Sequence, residues 1–424
     1  MGRPLITTSL AQNRNFSLLW LAQVVTTLAD VLYDVGVMVV IFAQTGSALQ
    51  TAGVMVARTL PPFLLGPFAG VLVDRYSRQR VLMAMNLFRA GLVGLLLLLV
   101  QGQTIQVVGI YIVVAGLAVA GTFYEPARIA ILPSIVSNDQ LVRANSLMMS
   151  TKQAALAAGY ALGGLLILRL GFQTLVLLTL AGFLVAAGAV TLMAVPKRTA
   201  DESLPFRHVS LGRDVLDGLV YLRDHALARP LVTLEVFEHI PHGIWTAPLM
   251  LVFTQQALAA GPEGWGYQNA AFYGGQLLGA TIAAVLAGQM ARRPGQIIIW
   301  NAFLFSLMTI AYAFSPTLGL TIILALLFGL PSAMRDVAQD SLLQASVSAD
   351  MLGRVFATRS MLANLNFMLA GLAFAWLADQ LPIRWVYFLA GLLYLGTALY
   401  ALASPAIRRS RITAPNPQKH QQPA

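Results

Sequence analysis

The sequence has no cysteine. That absence excludes disulfides, thiolate metal sites and cysteine nucleophiles together. Charge is scarce as well: Lys, Arg, Asp and Glu make up 10% of the 424 residues, against about 25% in a soluble domain. Residues 90–124, 170–196, 294–334 and 385–407 hold no charged side chain at all. Each is long enough for one ~20-residue membrane-spanning helix, and the third for two. With 58% hydrophobic residues, the chain reads as an all-α polytopic membrane protein.

Twelve spans are expected, over approximately 16–44, 50–73, 81–100, 107–127, 147–168, 172–194, 229–256, 267–290, 296–314, 317–335, 356–379 and 383–404. The net charge of +10 then concerns topology and not nucleic acid. Of 27 basic residues, Arg58 and Arg89 fall within spans and Arg169 and Arg384 on one side. The other 23 fall on the opposite side, which the positive-inside rule makes cytoplasmic, so both termini are expected there. The first apolar segment is too long for a cleaved signal core, so an uncleaved first helix is expected to direct membrane insertion.

An internal repeat lies at half the chain length. VSNDQLVR at 136–143 recurs as VSADMLGR at 347–354, identical at five of eight positions. The same offset aligns Glu125 with Asp336 and Phe42 with Phe253. Six spans return the chain to its starting side, so the copies are parallel, and two six-helix halves follow: 1–195 and 229–404. The charged segment 196–228 reads as a cytoplasmic linker, and residues 405–424, with four Pro and three Gln, as a disordered cytoplasmic tail.

GVLVDRYSRQR at 70–80, after Pro61-Pro62 and Gly66-Pro67, resembles the loop between spans 2 and 3 of the major facilitator superfamily. NRNFSLLWLAQ at 13–23, EPARIAILPSIV with QLVRANSL across 125–147, and GRVFA at 353–357 are similar to the macrolide-efflux and enterobactin-exporter group of drug–proton antiporters. The resemblance covers nearly the whole chain. It implies a secondary active transporter, not an enzyme. Such a transporter would need no cofactor and would act as a monomer, exporting an amphiphilic drug-like or siderophore-like molecule against proton entry. A lipid or lysophospholipid flippase of the same fold is the alternative, and an intramembrane enzyme the more distant one.

In the resembled family the loop carrying Asp74, Arg75, Arg78 and Arg80 latches one conformation; without that role these residues anchor topology. Ser77 stands where the family often has Gly, and the repeat counterpart of Asp74 is Gly288, so any latch is one-sided. Glu125, Arg128, Arg335 and Asp336 sit at the cytoplasmic ends of spans 4 and 10, as gating groups or local ion pairs. Asp139 and Asp350 each follow a serine by two residues and read as helix-start chemistry.

The deep charges carry the mechanism. Asp30 and Asp34 lie one turn apart in the middle of span 1, where an unpaired carboxylate costs at least ~2.5 kcal/mol. One of them is expected to hold a proton much of the time, unless they simply pair with Arg58 or Arg89. Span 7 carries Glu235, Glu238, His239 and His242, in two pairs spaced four apart, with Pro241 and Pro248 interrupting the helix. These six residues are the expected proton-coupling groups; a solvated structural cluster is the plainer reading of the span-7 four. EVFEHIPH is not the H-E-x-x-H metal motif, and no metal site is expected. Trp20, Tyr33, Phe123, Tyr124, Trp245, Tyr267, Phe272 and Tyr273 either line a pocket or pack. Gly159, Gly163, Gly164, Gly274, Gly275 and Gly279 read as close helix contacts.

Overall fold

The computed structural model describes residues 10–100, 107–137, 140–195, 211–348 and 351–410, apart from a few side chains within its helices. The described residues form helices and no strand: α1 (Arg14–Thr45), α2 (Ala48–Arg75), α3 (Arg78–Val100), α4 (Val107–Ile135), α5 (Leu141–Thr191), α6 (Leu211–Asp224), α7 (Ala228–His242), α8 (Ala247–Gln256), α9 (Pro262–Val285), α10 (Ala287–Arg292), α11 (Pro294–Ala313), α12 (Leu318–Ser346), α13 (Leu352–Gln380), α14 (Ile383–Ala403) and α15 (Pro405–Arg408). Each expected span falls on one or two of these helices. Among the described residues, eight helices are long and apolar enough to cross a membrane: α1, α3, α4, α5, α11, α12, α13 and α14, the terminal residues of three lying outside the qualifying segment.

Local chemistry sets the helix ends. Asn13 caps α1, its side chain accepting from the Phe16 amide at 3.1 Å while its own amide group reaches the Ile135 carbonyl at 2.6 Å. Gly46 ends α1 in the left-handed conformation and donates to the Phe42 carbonyl. Spans 5 and 6 join into one long α5 whose helical path is broken only at Gly171, with φ 75° and ψ 173°. That backbone region is open to glycine and strained for other residues.

Two compact units emerge: Met1–Val209 with Ala260–Ala270, and Ser210–Ala259 with Ala271–Ala424. In the first, α1 and α3 pack on α5, and α2 and α3 on α4. Its core gathers Phe16, Leu19, Leu82, Ile131 and Val190. In the second, α7 packs on α12, α13 and α14, and α11 packs on α12 and α14. Residues 405–408, assigned to the tail by composition, form α15, whose Ile407 is fully buried in that unit's core.

Small residues bring helices together as the glycine pattern predicts. A Cβ on Gly275 or Gly279 of α9 would fall on the Leu326 or Leu330 carbonyl of α12, and a Cβ on Gly159 or Gly163 of α5 would press on Val31 or Val35 of α1. Gly274 is different, with nothing nearer than a Leu326 methyl at 3.8 Å.

Candidate functional site

Proline divides the seventh expected span. Pro241 lies in the last turn of α7, a tight turn follows over Gly243–Trp245, and Thr246 is extended before Pro248 opens α8. Proline removes a backbone donor and clashes with the preceding turn; Pro241 and Pro248 flank the break here, whereas α4 and α12 run on through Pro126, Pro133 and Pro331. The break places the ionisable residues of α7 beside α12 and α13. Glu238, 1% exposed, accepts at Oε2 from Arg335 at 2.8 Å and from Gln339 at 3.4 Å. Arg335 also holds Asp336 at 2.7 Å. Glu235 is bound by Arg359 of α13, which also takes Asp340 of α12.

Four carboxylates thus share two guanidinium groups. Glu238 Oε1 and Gln339 Oε1 are buried with no hydrogen-bond donor. A buried acceptor left in that state costs about 1–3 kcal/mol.

The histidines do not join this network through their carboxylate neighbours. His239 Nδ1 donates to the Glu235 backbone carbonyl at 2.7 Å, and His242 Nδ1 lies 2.7 Å from the Tyr394 hydroxyl. The arginines have already taken the carboxylates. Above the break, Trp245 packs against Phe328 at 4.5 Å and Tyr312 at 4.8 Å. Phe272 joins the same aromatic core and touches Tyr273. These rings pack on one another and are absent from the lining of the first unit's cavity.

The first unit holds a cavity of about 660 Å³, lined by residues of α1 to α5. Asp30, Asp34 and Glu125 supply its carboxylates; Arg58, Arg89 and Lys152 supply its cations. Asp34 pairs with Arg58, and Asp30 lies 3.5 Å from Arg89. Glu125 is held at 2.8 Å by Arg128 and at 3.2 Å by Lys152. Tyr33 and Tyr124 line this cavity, whereas Trp20 donates to Thr151 at 3.0 Å and Phe123 packs on the core. Tyr267 is part-exposed on α9.

Every deep carboxylate named from the sequence therefore meets a basic partner. Arg359, Asp340, Gln339 and Lys152 belong to these networks and were missed as site residues. Arg359 and Lys152 count as cytoplasmic anchors in a charge tally, and only their three-dimensional neighbours reveal them. The side chains of Asp74 and Arg75 lie outside the described residues, as do Asp139 and Asp350. Arg80 is exposed, and Arg78 keeps a buried Nε with no acceptor.

The family description of the transmembrane secretion effectors, a group of the major facilitator superfamily, matches residues 7–423. The chain belongs to that family. It is similar to an uncharacterised transporter of this type from Bacillus subtilis, 26% identical over 93% of this chain and 96% of that one. The macrolide efflux protein A of Streptococcus pyogenes is 22% identical over the same shares. An enterobactin exporter of Salmonella paratyphi A is 27% identical over 80% of each chain. Among solved structures, a nucleoside transporter superposes with a TM-score of 0.74 at 10% identity, covering 92% of this chain and 100% of its own. A bacterial homologue of the iron transporter ferroportin, in an inward-facing state, gives 0.70 at 16% identity, over 93% and 99%. The fold is that of the major facilitator transporters. The protein is a multi-pass membrane transporter of small molecules and not an enzyme.

Proposed function

We propose that this transporter exports an amphiphilic drug-like or siderophore-like molecule across the bacterial inner membrane, driven by proton entry, with residues 1–195 rocking against 229–404. The relatives named for macrolide efflux and enterobactin export support the direction of transport. The observation that carries proton coupling is Glu238. It is an almost fully buried carboxylate with one oxygen on Arg335 and the other on no donor, beside a glutamine oxygen that also has none. One proton on Glu238 supplies a donor where two acceptors lack one. The excess of four carboxylates over two arginines favours taking up that proton.

The test uses the full chain in proteoliposomes with an imposed pH gradient. Dye export that follows the gradient, and stops when an uncoupler collapses it, supports antiport. Export unchanged by the uncoupler removes the proton from the mechanism. In this reading Asp74 latches one conformation, and Asp74→Asn shifts two-sided accessibility labelling without loss of insertion.

A further inference from the structure

We propose that the cavity of the first unit is an anion site: its ligand is an amphiphilic organic anion, whose charged group binds at Arg89. The inference rests on the export reading above and names its substrate class.

The charge census points this way. Asp30, Asp34 and Glu125 face Arg58, Arg89, Arg128 and Lys152, so the cavity and its immediate partners carry one positive charge in excess. Each carboxylate already has a cation. A cationic ligand would have to displace an internal arginine or lysine and leave that charge uncompensated, at a cost of several kcal/mol. An anion meets no such obstacle.

Arg89 is the under-satisfied cation. Its side chain is 5% exposed, and its one acidic partner, Asp30, stands at 3.5 Å, the outer limit of a hydrogen bond. Its Nε is buried without an acceptor. Aromatic faces flank the guanidinium, Tyr124 at 4.9 Å and Phe183 at 5.5 Å, and rings cannot replace the two parallel hydrogen bonds that a carboxylate or phosphate gives. Gly121 leaves room for the group, since a Cβ there would sit 3.1 Å from Arg89 Nη2. Around this point Val114, Leu117, Leu156 and Tyr160 offer an apolar wall for the rest of the ligand. The volume, about 660 Å³, lies in the range of drug-sized sites.

A physical consequence follows for energetics. With the cytoplasm negative, an exported negative charge moves down the electrical gradient, so the membrane potential helps drive export of such a ligand.

Binding to the purified full-length protein, with no gradient present, tests the inference independently of proton coupling. Carboxyfluorescein is the anionic probe and a rhodamine ester the cationic one, both read by fluorescence anisotropy. Saturable binding of carboxyfluorescein is expected, weakened about tenfold by Arg89→Gln, the cost of one charge-assisted contact. Arg89→Lys should bind at an intermediate level, because the charge stays and the fork is lost. If Arg89→Gln does not fold, Gly121→Ala, which keeps the charge and crowds the guanidinium, should weaken the anion alone. Competition by lysophosphatidylglycerol but not lysophosphatidylcholine identifies a lipid headgroup as the source of the anion; competition by decanoate identifies a free carboxylate. Tighter binding of the rhodamine, no saturable binding of carboxyfluorescein, or an affinity indifferent to both Arg89→Gln and Gly121→Ala overturns the assignment. A protein that binds the anion and exports without a proton gradient would instead refute only the coupling.

Discussion

Glu235 and Glu238 stand three residues apart on α7 and are held by different arginines, Glu235 by Arg359 of α13 and Glu238 by Arg335 of α12. One turn of helix thus ties two neighbouring helices to its own acidic face. The two carboxylates differ in what surrounds them. The Glu235 side chain is 11% exposed, whereas that of Glu238 is 1% exposed and keeps one oxygen unmatched.

That difference predicts different mutants. Glu235→Gln removes the more buried partner of Arg359 but leaves it Asp340. Loss of a partner from a nearly buried pair costs up to about 3–5 kcal/mol, reduced here by the remaining carboxylate. The expected result is a lower melting temperature with gradient-driven export retained. Glu238→Gln should fold with smaller loss, since a neutral side chain suits the site. It should abolish uphill export while sparing exchange down a gradient. Thermal melting and proteoliposome flux separate the two; equal loss of uphill export in both removes the special role of Glu238.

In the first unit, Asp34 is buried and its partner Arg58 is part-exposed toward the cavity. Asp34→Asn leaves Arg58 a route to water. Arg58→Gln leaves a carboxylate in a place that cannot solvate it, and should destabilise more, by about 1–3 kcal/mol. The double replacement should recover most of that loss, giving a coupling energy of about 0.5–3 kcal/mol between sites in direct contact. A melting series on the four proteins measures it, and additive losses would mean that the ion pair contributes nothing.

Much of this was legible in the sequence because a bilayer constrains a chain so severely. Long charge-free runs must be helices, and Pro241 with Pro248 flanks the break in the seventh span. The residues of the deep networks could be named too, since charges in apolar runs are few. Their pairing could not. Arg359 lies more than a hundred residues from Glu235, and nothing in its own neighbourhood distinguishes it from a topology anchor. Likewise, spacing by four suggested that His239 would meet the Glu235 carboxylate, but the competing Arg359 left it only the backbone carbonyl. Spacing along one helix says which groups share a face; it is silent on what the next helix brings.

Adjacent glycines on α9 offer a controlled comparison. Gly275 and Gly279 meet α12 backbone carbonyls directly, whereas a Cβ on Gly274 would make only an ordinary contact with a Leu326 methyl at 3.8 Å. Gly275→Ala or Gly279→Ala must push the helices apart, with an overpacking cost of about 1–3 kcal/mol. Gly274→Ala should be neutral or slightly stabilising, because alanine is the better helix former. Detergent melting curves for the three variants are the check. A Gly274→Ala loss as large as the others would mean that flexibility of α9, and not close contact, is what the glycines supply.

The final prediction concerns orientation. Of 27 basic residues, 23 lie on what the span pattern makes one side, and two on the other. Such a bias sets the orientation of membrane helices because positively charged loops are retained in the cytoplasm. The odd number of crossings that would separate the termini requires one expected span to fail. The candidate is the seventh, divided at Gly243–Trp245 into α7 of 15 residues and α8 of 10. Neither piece alone approaches the ~20 residues that a span needs. Together they do, and the apolar character of α8, with Leu249, Met250, Leu251, Val252 and Phe253 buried, supports a single broken span. Alkaline phosphatase fused after the last helix should then be inactive and a green fluorescent protein fused there bright, with the opposite result for fusions in the loop between α8 and α9, after Gln256. An active phosphatase at the C-terminus would mean that the break at Trp245 turns the chain back and that the membrane is crossed an odd number of times.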